Sequence, residues 1–229
     1  MKIPNLRKNH AFTVLELMVA IFILIVLFLL LTPRLAINKR SAARVNCVNN
    51  LKQVGLAFRI WSGANSNQLP MQVYTNAQGA PLFANATSVY RYFQVMSNEL
   101  GTPKMLTCPD DKKRVPATSF ETGFNNSHVS YFIGLDADES HPTMILAGDR
   151  NVTNDLRLTN SPYIAKGLPM VDGQLCLTTN QYVRWTDDDI HKKNGNVVLG
   201  DGSVQQLTSG RLRAALGETG VTTNRLLFP

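Results

Sequence analysis

The sequence predicts an α+β fold in which one long N-terminal α-helix packs on a small antiparallel β-sheet. Two observations carry this prediction. No charged residue occurs from Leu17 to Pro33, whereas the mean hydropathy of all 229 residues is only -0.07. Short β-rich runs separated by turn residues follow residue 128. A single membrane span needs about 20 apolar residues, so we expect one spanning helix followed by one compact domain and not a multi-span protein.

The N-terminus is basic and leads directly into the apolar run. Its charged residues are Lys2, Arg7 and Lys8, and the apolar run covers residues 12–31. An ordinary secretory signal has an apolar core of about 7–15 residues and a small-x-small cleavage sequence after it. This run is longer and ends without such a sequence, so an uncleaved signal anchor is the simplest interpretation. Basic residues on both sides leave the positive-inside rule undecided, and the short N-terminal tail favours a cytoplasmic N-terminus.

Glu16 is the feature that a simple anchor does not explain. An ionisable group within a membrane costs about 2.5–3.5 kcal/mol at the bilayer centre, and residues 12–33 contain no Lys, Arg or His to pair with it. A cut between Ala11 and Phe12 would create an α-amino group one helical turn away from Glu16. In an assembly, the amine of one subunit is then a candidate partner for Glu16 of its neighbour.

The string Ala11-Phe12-Thr13-Val14-Leu15-Glu16 before an apolar helix resembles the class III signal of type IV pilins and type II secretion pseudopilins. The resemblance implies that prepilin peptidase removes residues 1–11 and that Phe12 becomes the methylated first residue. It also implies that Phe12 and Glu16 serve assembly, and that Pro33 bends the helix as in many pilins. The chain departs from the family at Ala11, where glycine is usual.

The same resemblance implies a non-enzymatic filament subunit in the bacterial inner membrane, with its N-terminus in the cytoplasm and its C-terminal domain in the periplasm. Its partners would be prepilin peptidase, further copies of itself, other pseudopilins and the inner-membrane assembly platform. The alternative function is a monomeric, signal-anchored periplasmic binding protein, for example for a polysaccharide. An anchored hydrolase is a third hypothesis.

The spanning helix, residues 12–33, is expected to continue as an amphipathic helix over residues 34–62. Apolar residues there follow 4-3-4-3 spacing, which places them on one stripe that faces the core. Basic residues occupy the other positions, and Ser62-Gly63 is a stop signal. The stripe consists of Cys47, Leu51, Val54, Phe58 and Trp61.

Residues 63–229, which we call the head, combine a loop-rich first part with a β-rich second part. We expect a short helix over 88–96, a terminal helix over 209–216, and strands over 129–135, 144–146, 181–185, 196–199 and 203–207. The last two strands flank Asp201-Gly202, a sequence suited to a tight hairpin turn.

His191 precedes Asp201-Gly202 in an H-x9-D-G arrangement. It is similar to the C-terminal signature of a large group of bacterial pilin-like proteins that also carry the N-terminal methylation signal. A catalytic His-Asp pair is one interpretation, but no recognisable nucleophile elbow accompanies it. The structural interpretation is favoured, in which His191 either caps the hairpin or forms a hydrogen bond across it and Asp201 serves the turn.

Metal sites receive little support from the sequence. The three cysteines and four histidines show no zinc-binding spacing, and no cofactor is expected. Two acidic clusters are weak calcium candidates, since calcium needs six to eight oxygen ligands, and a solvated acidic turn is the favoured interpretation of each. Their candidate ligands are Asp136, Asp138, Asp187 and Asp189.

The cysteines allow several redox states. In an oxidising periplasm Cys47 and Cys108 would tie the helix to the head, leaving Cys176 free; other pairings and three reduced cysteines remain open.

The net charge of +7 is weak evidence for nucleic-acid binding. Residues 1–11 carry three of these charges, which leaves +4 after processing, and no basic-aromatic alternation marks a base-stacking surface. The basic residues just after the span are better suited to anionic lipid headgroups or a neighbouring subunit.

Overall fold

A computed structural model describes residues 13–73, 88–154, 174–178, 183–186 and 190–229. The chain divides into two compact units, residues 1–42 and 43–229. Helix α1, Val14–Ala64, is a single element of 51 residues that begins in the first unit and ends in the second. It is continuous through position 33 and stops two residues beyond the predicted end.

The part of α1 within the second unit is amphipathic as predicted. All five stripe residues are buried, with exposed fractions from 0 % to 8 %, and they belong to the main hydrophobic core. Arg59 and Lys52 lie on the exposed side of the helix. Fully burying a large apolar side chain contributes about 1.5–3 kcal/mol, so this stripe holds the helix to the head.

The remaining elements follow in chain order. The α-helices are α2 (Val89–Val95), α3 (Ser97–Leu100) and α4 (Ser209–Gly217), and two 3-10 helices cover Pro103–Leu106 and Asn126–His128. The strands are β1 (Tyr131–Gly134), β2 (Ile145–Asp149), β3 (Val152–Asn154), β4 (Gln174–Thr178), β5 (Val183–Trp185), β6 (Asn194–Leu199), β7 (Val204–Thr208) and β8 (Thr223–Leu227).

Six strands form one antiparallel sheet in the order β4-β8-β1-β2-β6-β7, and β3 pairs with β5 separately. The hairpin β6-β7 turns at Asp201-Gly202, where Gly202 has a φ of 81°. The predicted α+β class is therefore confirmed, with its apolar N-terminal helix and its antiparallel sheet.

The two faces of the large sheet serve different cores. Tyr131, Ile133 and Val198 point into the cluster that contains the stripe of α1. Their neighbours Phe132 and Val197 point into a second cluster, which includes residues of α4. This alternation follows from the two-residue period of a β-strand, and it places the sheet between α1 on one face and α4 on the other.

The predicted positions of individual helices and strands agree with the structure more closely than the predicted set of strands in the sheet does. Helices α2 and α4 lie where they were expected, and the predicted strands overlap β1, β2, β5, β6 and β7. Strand β2 extends to Asp149, three residues beyond its predicted end. Strands β3, β4 and β8 were not predicted.

Candidate functional site

Glu16 lies in the first turn of α1 and accepts hydrogen bonds from Thr13. Its Oε2 lies 2.9 Å from the main-chain nitrogen and 2.9 Å from the hydroxyl oxygen of Thr13. The Thr13 hydroxyl in turn accepts from the Glu16 N–H at 3.3 Å. This reciprocal pattern is a capping box, which satisfies otherwise unpaired donors at a helix start. The Thr-x-x-Glu spacing was visible in the sequence but was interpreted only as part of the processing signal.

The helix that follows Glu16 is apolar and unburied. Residues Val14–Leu31 have a mean hydropathy of 3.2, none of the window is buried, and it is the one stretch of the described residues long and apolar enough to cross a membrane. Such a helix near an N-terminus has the length and composition of a membrane anchor or a signal sequence. The predicted processing residues Ala11 and Phe12 lie outside the described residues.

In the second unit, His191 lies at the centre of a buried polar cluster. Its Nε2 lies 3.4 Å from Cys108 Sγ and 3.6 Å from Asp149 Oδ2. On the other side of the ring, Nδ1 lies 3.3 Å from Asp110 Oδ2. The same Asp110 oxygen accepts a hydrogen bond from the His191 main-chain N–H at 3.0 Å. The imidazole is thus flanked by carboxylates on both edges, and its side chain is 1 % exposed.

Four separate elements bring this cluster together. Cys47 comes from α1 and forms a disulfide with Cys108, which follows the first 3-10 helix and is 61 residues away in sequence. Asp149 ends β2, and His191 precedes β6. Both cysteines are almost fully buried. The structure thereby contains the disulfide that the sequence left open among several pairings.

The backbone at His191 is strained. His191, Lys192 and Lys193 have φ angles of 53°, 40° and 62°, which non-glycine residues rarely adopt. Such residues cost of the order of 1–3 kcal/mol each and persist only where surrounding contacts hold them. Two contacts do so here: Arg44 donates to the His191 carbonyl at 3.4 Å, and Lys193 N–H donates to the Thr186 carbonyl at 3.1 Å.

Burial dominates the electrostatics of the cluster. It raises the pKa of Asp149 to about 7. Two hydrogen bonds from Asn196 oppose this shift, and the main-chain and side-chain nitrogens of Asn196 lie 2.7 Å and 2.9 Å from Asp149 Oδ2. Burial also lowers the pKa of His191, although the Asp110 carboxylate opposes this shift. Desolvation therefore favours the neutral form of both groups. Asp149 Oδ1 has no hydrogen-bond partner among the described residues.

A second carboxylate lies beside the cluster in a different environment. Asp111 accepts two hydrogen bonds from the Arg150 guanidinium, both at 2.7 Å, and one from the Ser130 hydroxyl at 2.8 Å. The Lys113 N–H donates a fourth at 3.1 Å. Burial opposes ionisation of Asp111, but Arg150 and Ser130 outweigh it and lower the pKa of the carboxyl below its usual range. Asp111 is thus held as a paired carboxylate.

No hydrogen bond of His191 across the β6-β7 hairpin is found among the contacts of the described residues. The described partners of His191 lie on α1, on β2 and in the loop of Cys108. Asp201 does serve the turn: its Oδ1 accepts a hydrogen bond from the Ser203 N–H at 2.8 Å. A catalytic pairing of His191 with Asp201 has no support in these contacts.

Both ends of the H-x9-D-G segment instead contact α1. At its beginning, the His191 carbonyl accepts from Arg44. At its end, the Asp201 carbonyl accepts from Arg59 at 3.2 Å. Gly55 lies between these two arginines, and a Cβ placed there would lie 2.7 Å from Val198 Cγ2 and 3.7 Å from Gly202 Cα. The signature therefore holds the hairpin close to the helix.

Gly55→Ala should destabilise the second unit by about 1–2 kcal/mol. Overpacking a core costs about 1–3 kcal/mol, of which better helix propensity returns up to about 1 kcal/mol. Val198 is β-branched and buried, so its side chain can move only slightly to make room for the added methyl group. Gly63→Ala is the matched control in the same helix, since nothing lies within 4 Å of its added Cβ; it should stabilise by about 0.5–1 kcal/mol. Urea unfolding of the two variants measures both changes in the free energy of unfolding. Equal changes in the two variants would contradict the close approach of Gly55 to Val198.

The calcium candidates are engaged in other contacts or are not described. Arg225 donates to Asp136 through its main-chain N–H and its guanidinium at 2.5–2.7 Å. Asp138 accepts from Ser140 and from the His141 N–H at 2.6 Å and 2.9 Å. Asp187 and Asp189 lie outside the described residues. The geometry thus adds no support for calcium at Asp136 or Asp138.

Sequence analysis missed the cluster around His191 as a unit. Consecutive members, Cys47, Cys108, Asp149 and His191, are separated by about 40–60 residues, so no local spacing indicates them. The ligand atoms of Cys47, Cys108 and His191 nevertheless lie within 4.8 Å of one another. The one local signal was Gly148-Asp149-Arg150, which places an acid at the end of an apolar run.

In comparisons with known proteins, no family model, no curated protein and no solved structure matches this chain.

Proposed function

We propose that this chain is a subunit of a type IV pilus-like or type II secretion pseudopilus filament. In this proposal prepilin peptidase cuts before Phe12, and the chain resides in the bacterial inner membrane with its head in the periplasm. Assembly then takes place through α1, with other pseudopilins and the inner-membrane assembly platform as further partners. The protein acts as a structural subunit and not as an enzyme.

The observation that carries the proposal is the construction of α1. Its first 18 residues form an unburied apolar helix with a single acid, Glu16, in the first turn. The same helix ends as a buried, amphipathic element of the compact second unit. A simple anchor requires neither the acid nor a helix continuous with the folded domain. A subunit that packs by its apolar helix while presenting a folded domain requires both.

The N-terminal residue of the mature chain tests the processing step. The full chain is expressed in a bacterium that contains prepilin peptidase, extracted from membranes with detergent, and its N-terminal peptide is identified by mass spectrometry. The expected result is an N-methylated Phe12. Recovery of an intact Met1 in the peptidase-containing host, and equally in a host without the peptidase, would contradict the proposal.

Glu16→Ala should reduce incorporation into filaments about tenfold or more while leaving membrane insertion intact. The variant loses the charge pair between Glu16 and the α-amino group of a neighbouring subunit. Truncating one partner of a buried charge pair costs about 2–5 kcal/mol. Because about 1.4 kcal/mol corresponds to a factor of ten in an equilibrium constant, the loss should exceed tenfold. Incorporation is measured as the ratio of sheared filament protein to membrane protein.

Two further variants separate this role from helix capping. Glu16→Gln removes the charge but keeps a side chain that fits a capping box, so it should fail as Glu16→Ala does. Thr13→Ala removes the capping hydroxyl but keeps the Glu16 charge, and it should still assemble. If Glu16→Gln assembles normally and Thr13→Ala fails, the capping box is the essential feature and the proposed charge pairing is wrong.

A further inference from the structure

We propose that Cys47, Cys108 and His191, with Asp149 as a candidate fourth ligand, bind a divalent metal ion of the zinc type when the disulfide is reduced, and that the disulfide is the metal-free form of the same site. This proposal does not depend on the filament function, because all four residues lie in the second unit.

The distances around His191 carry the first step. In a tetrahedral site with Zn–S near 2.3 Å and Zn–N near 2.0 Å, neighbouring ligand atoms are roughly 3.5 Å apart. Nε2 lies 3.4 Å from Cys108 Sγ, and the three Cys and His ligand atoms fall within 4.8 Å of one another. Once the S–S bond is broken, the two sulfurs need to separate by about 1.5–2 Å to complete the tetrahedron.

The other edge of the imidazole supplies the second step. A metal-binding histidine usually directs its second ring nitrogen at a carboxylate or carbonyl, which fixes the ring and its tautomer. His191 has its Nδ1 3.3 Å from Asp110 Oδ2, which is an ion-pair distance without hydrogen-bond geometry, while Nε2 faces the sulfurs. Asp110 is therefore the positioning residue of the proposed site.

Asp149 supplies the third step. Its Oδ2 is already occupied by the two hydrogen bonds from Asn196, whereas Oδ1 is buried without a hydrogen-bond partner among the described residues. Buried polar atoms are seldom left without a partner. Oδ1 is thus a buried oxygen without a described partner and a candidate fourth ligand.

The donor set determines the class of metal. Two thiolates, an imidazole and a carboxylate favour Zn²⁺ or Co²⁺ over the hard cations Mg²⁺ and Ca²⁺. Formation of the site needs a reductant, for which a phosphine suffices. It gives two electrons to the disulfide and takes an oxygen atom from water, and the two protons of that water yield two thiols. Both thiols lose their protons to solvent when they bind the metal.

Cobalt titration of the full chain in detergent micelles tests the proposal. Under anaerobic conditions and after phosphine reduction, one Co²⁺ per chain should bind, with thiolate-to-cobalt absorption in the near ultraviolet and strong tetrahedral visible bands. Added Zn²⁺ should displace it. The oxidised chain should show neither absorption. Absence of these bands in the reduced chain would overturn the proposal.

Variants assign the ligands. Asp110→Asn should weaken Co²⁺ binding about 10–100-fold, and His191→Gln and Asp149→Asn by at least as much. His141→Gln is the matched control, because His141 also contacts an aspartate, Asp138, but is exposed. Cys176→Ala is the control for thiols. Unchanged binding in His191→Gln, or loss of the near-ultraviolet band in Cys176→Ala, would overturn the assignment.

Reduction of the disulfide is expected to lower the stability of the second unit. The unfolding temperature of the reduced chain therefore provides a second measurement. Zn²⁺ should raise the unfolding temperature of the reduced wild type, since a ligand that binds only the folded state stabilises it. It should not do so for reduced His191→Gln. A reduced chain that neither binds Co²⁺ nor responds to Zn²⁺ contradicts the proposal, whether or not it remains folded.

Discussion

The double variant Cys47→Ala/Cys108→Ala should unfold with a free energy about 4 kcal/mol lower than that of the wild type. The disulfide closes a loop of 61 residues, and in the chain-entropy description a loop of this length restricts the unfolded state by about that amount. Alanine is chosen because both positions are buried, where a serine hydroxyl would add a cost of its own.

Urea unfolding of the full chain in detergent micelles measures this loss. Trp61 and Trp185 are both buried in the second unit, so their fluorescence reports its unfolding. A phosphine reductant supplies the control: in metal-free buffer it should lower the stability of the wild type by a similar amount and leave the double variant unchanged. A wild type whose disulfide is shown by mass to be reduced, yet which unfolds at the same urea concentration, would contradict the prediction.

The position of the disulfide gives it a mechanical meaning within the proposed function. Cys47 fixes α1 to the head near the point where the helix enters the second unit, and Gly55 and Arg59 fix it again at the Asp201-Gly202 turn. Between them lies the buried stripe. Within the proposed function, these attachments hold the head to the part of α1 that belongs to the second unit.

Sequence reasoning succeeded where the signal was local. The stripe from Cys47 to Trp61 follows from helical period alone, and the turn at Asp201-Gly202 from the conformational freedom of glycine. Strand β8 was missed because its sequence is short and mixed, and because its pairing with β1 and β4 is set by long-range packing. Its burial pattern emerges only when those partners are in place.

In the candidate site, too, local features were predictable from the sequence and long-range contacts were not. Glu16 was identified from its cost within an apolar run, which is a local argument. The neighbours of His191 come from α1, β2 and the Cys108 loop, and nothing in the H-x9-D-G spacing indicates them. Asp111 and Asp149 are both buried and both accept hydrogen bonds, yet the pKa of Asp111 is lowered and that of Asp149 is raised. This difference follows only from their three-dimensional contacts.

Asp111→Asn should destabilise the second unit by about 3–5 kcal/mol. Breaking a buried ion pair by removing one member is strongly destabilising, and here Arg150, with 12 % of its side chain exposed, would face a neutral amide in place of this carboxylate. Asp138→Asn is the matched control, because Asp138 also accepts several hydrogen bonds but pairs with a histidine that is 59 % exposed. Surface pairs contribute about 0–1 kcal/mol, so the control should remain near wild type.

The pH dependence of stability distinguishes the charge of Asp111 from its shape. Because folding lowers the pKa of Asp111 from its ordinary value of 3.8, the unfolded chain binds this proton more tightly than the folded chain. Its contribution is therefore complete well above pH 4 and is lost as the pH falls through the lowered pKa. Urea unfolding between about pH 2 and pH 6 should show a steep acid decline in the wild type and in Asp138→Asn, and a shallower one in Asp111→Asn. An equally steep decline in Asp111→Asn would mean that other carboxylates control acid unfolding, and the ion pair with Arg150 would lose its assigned role.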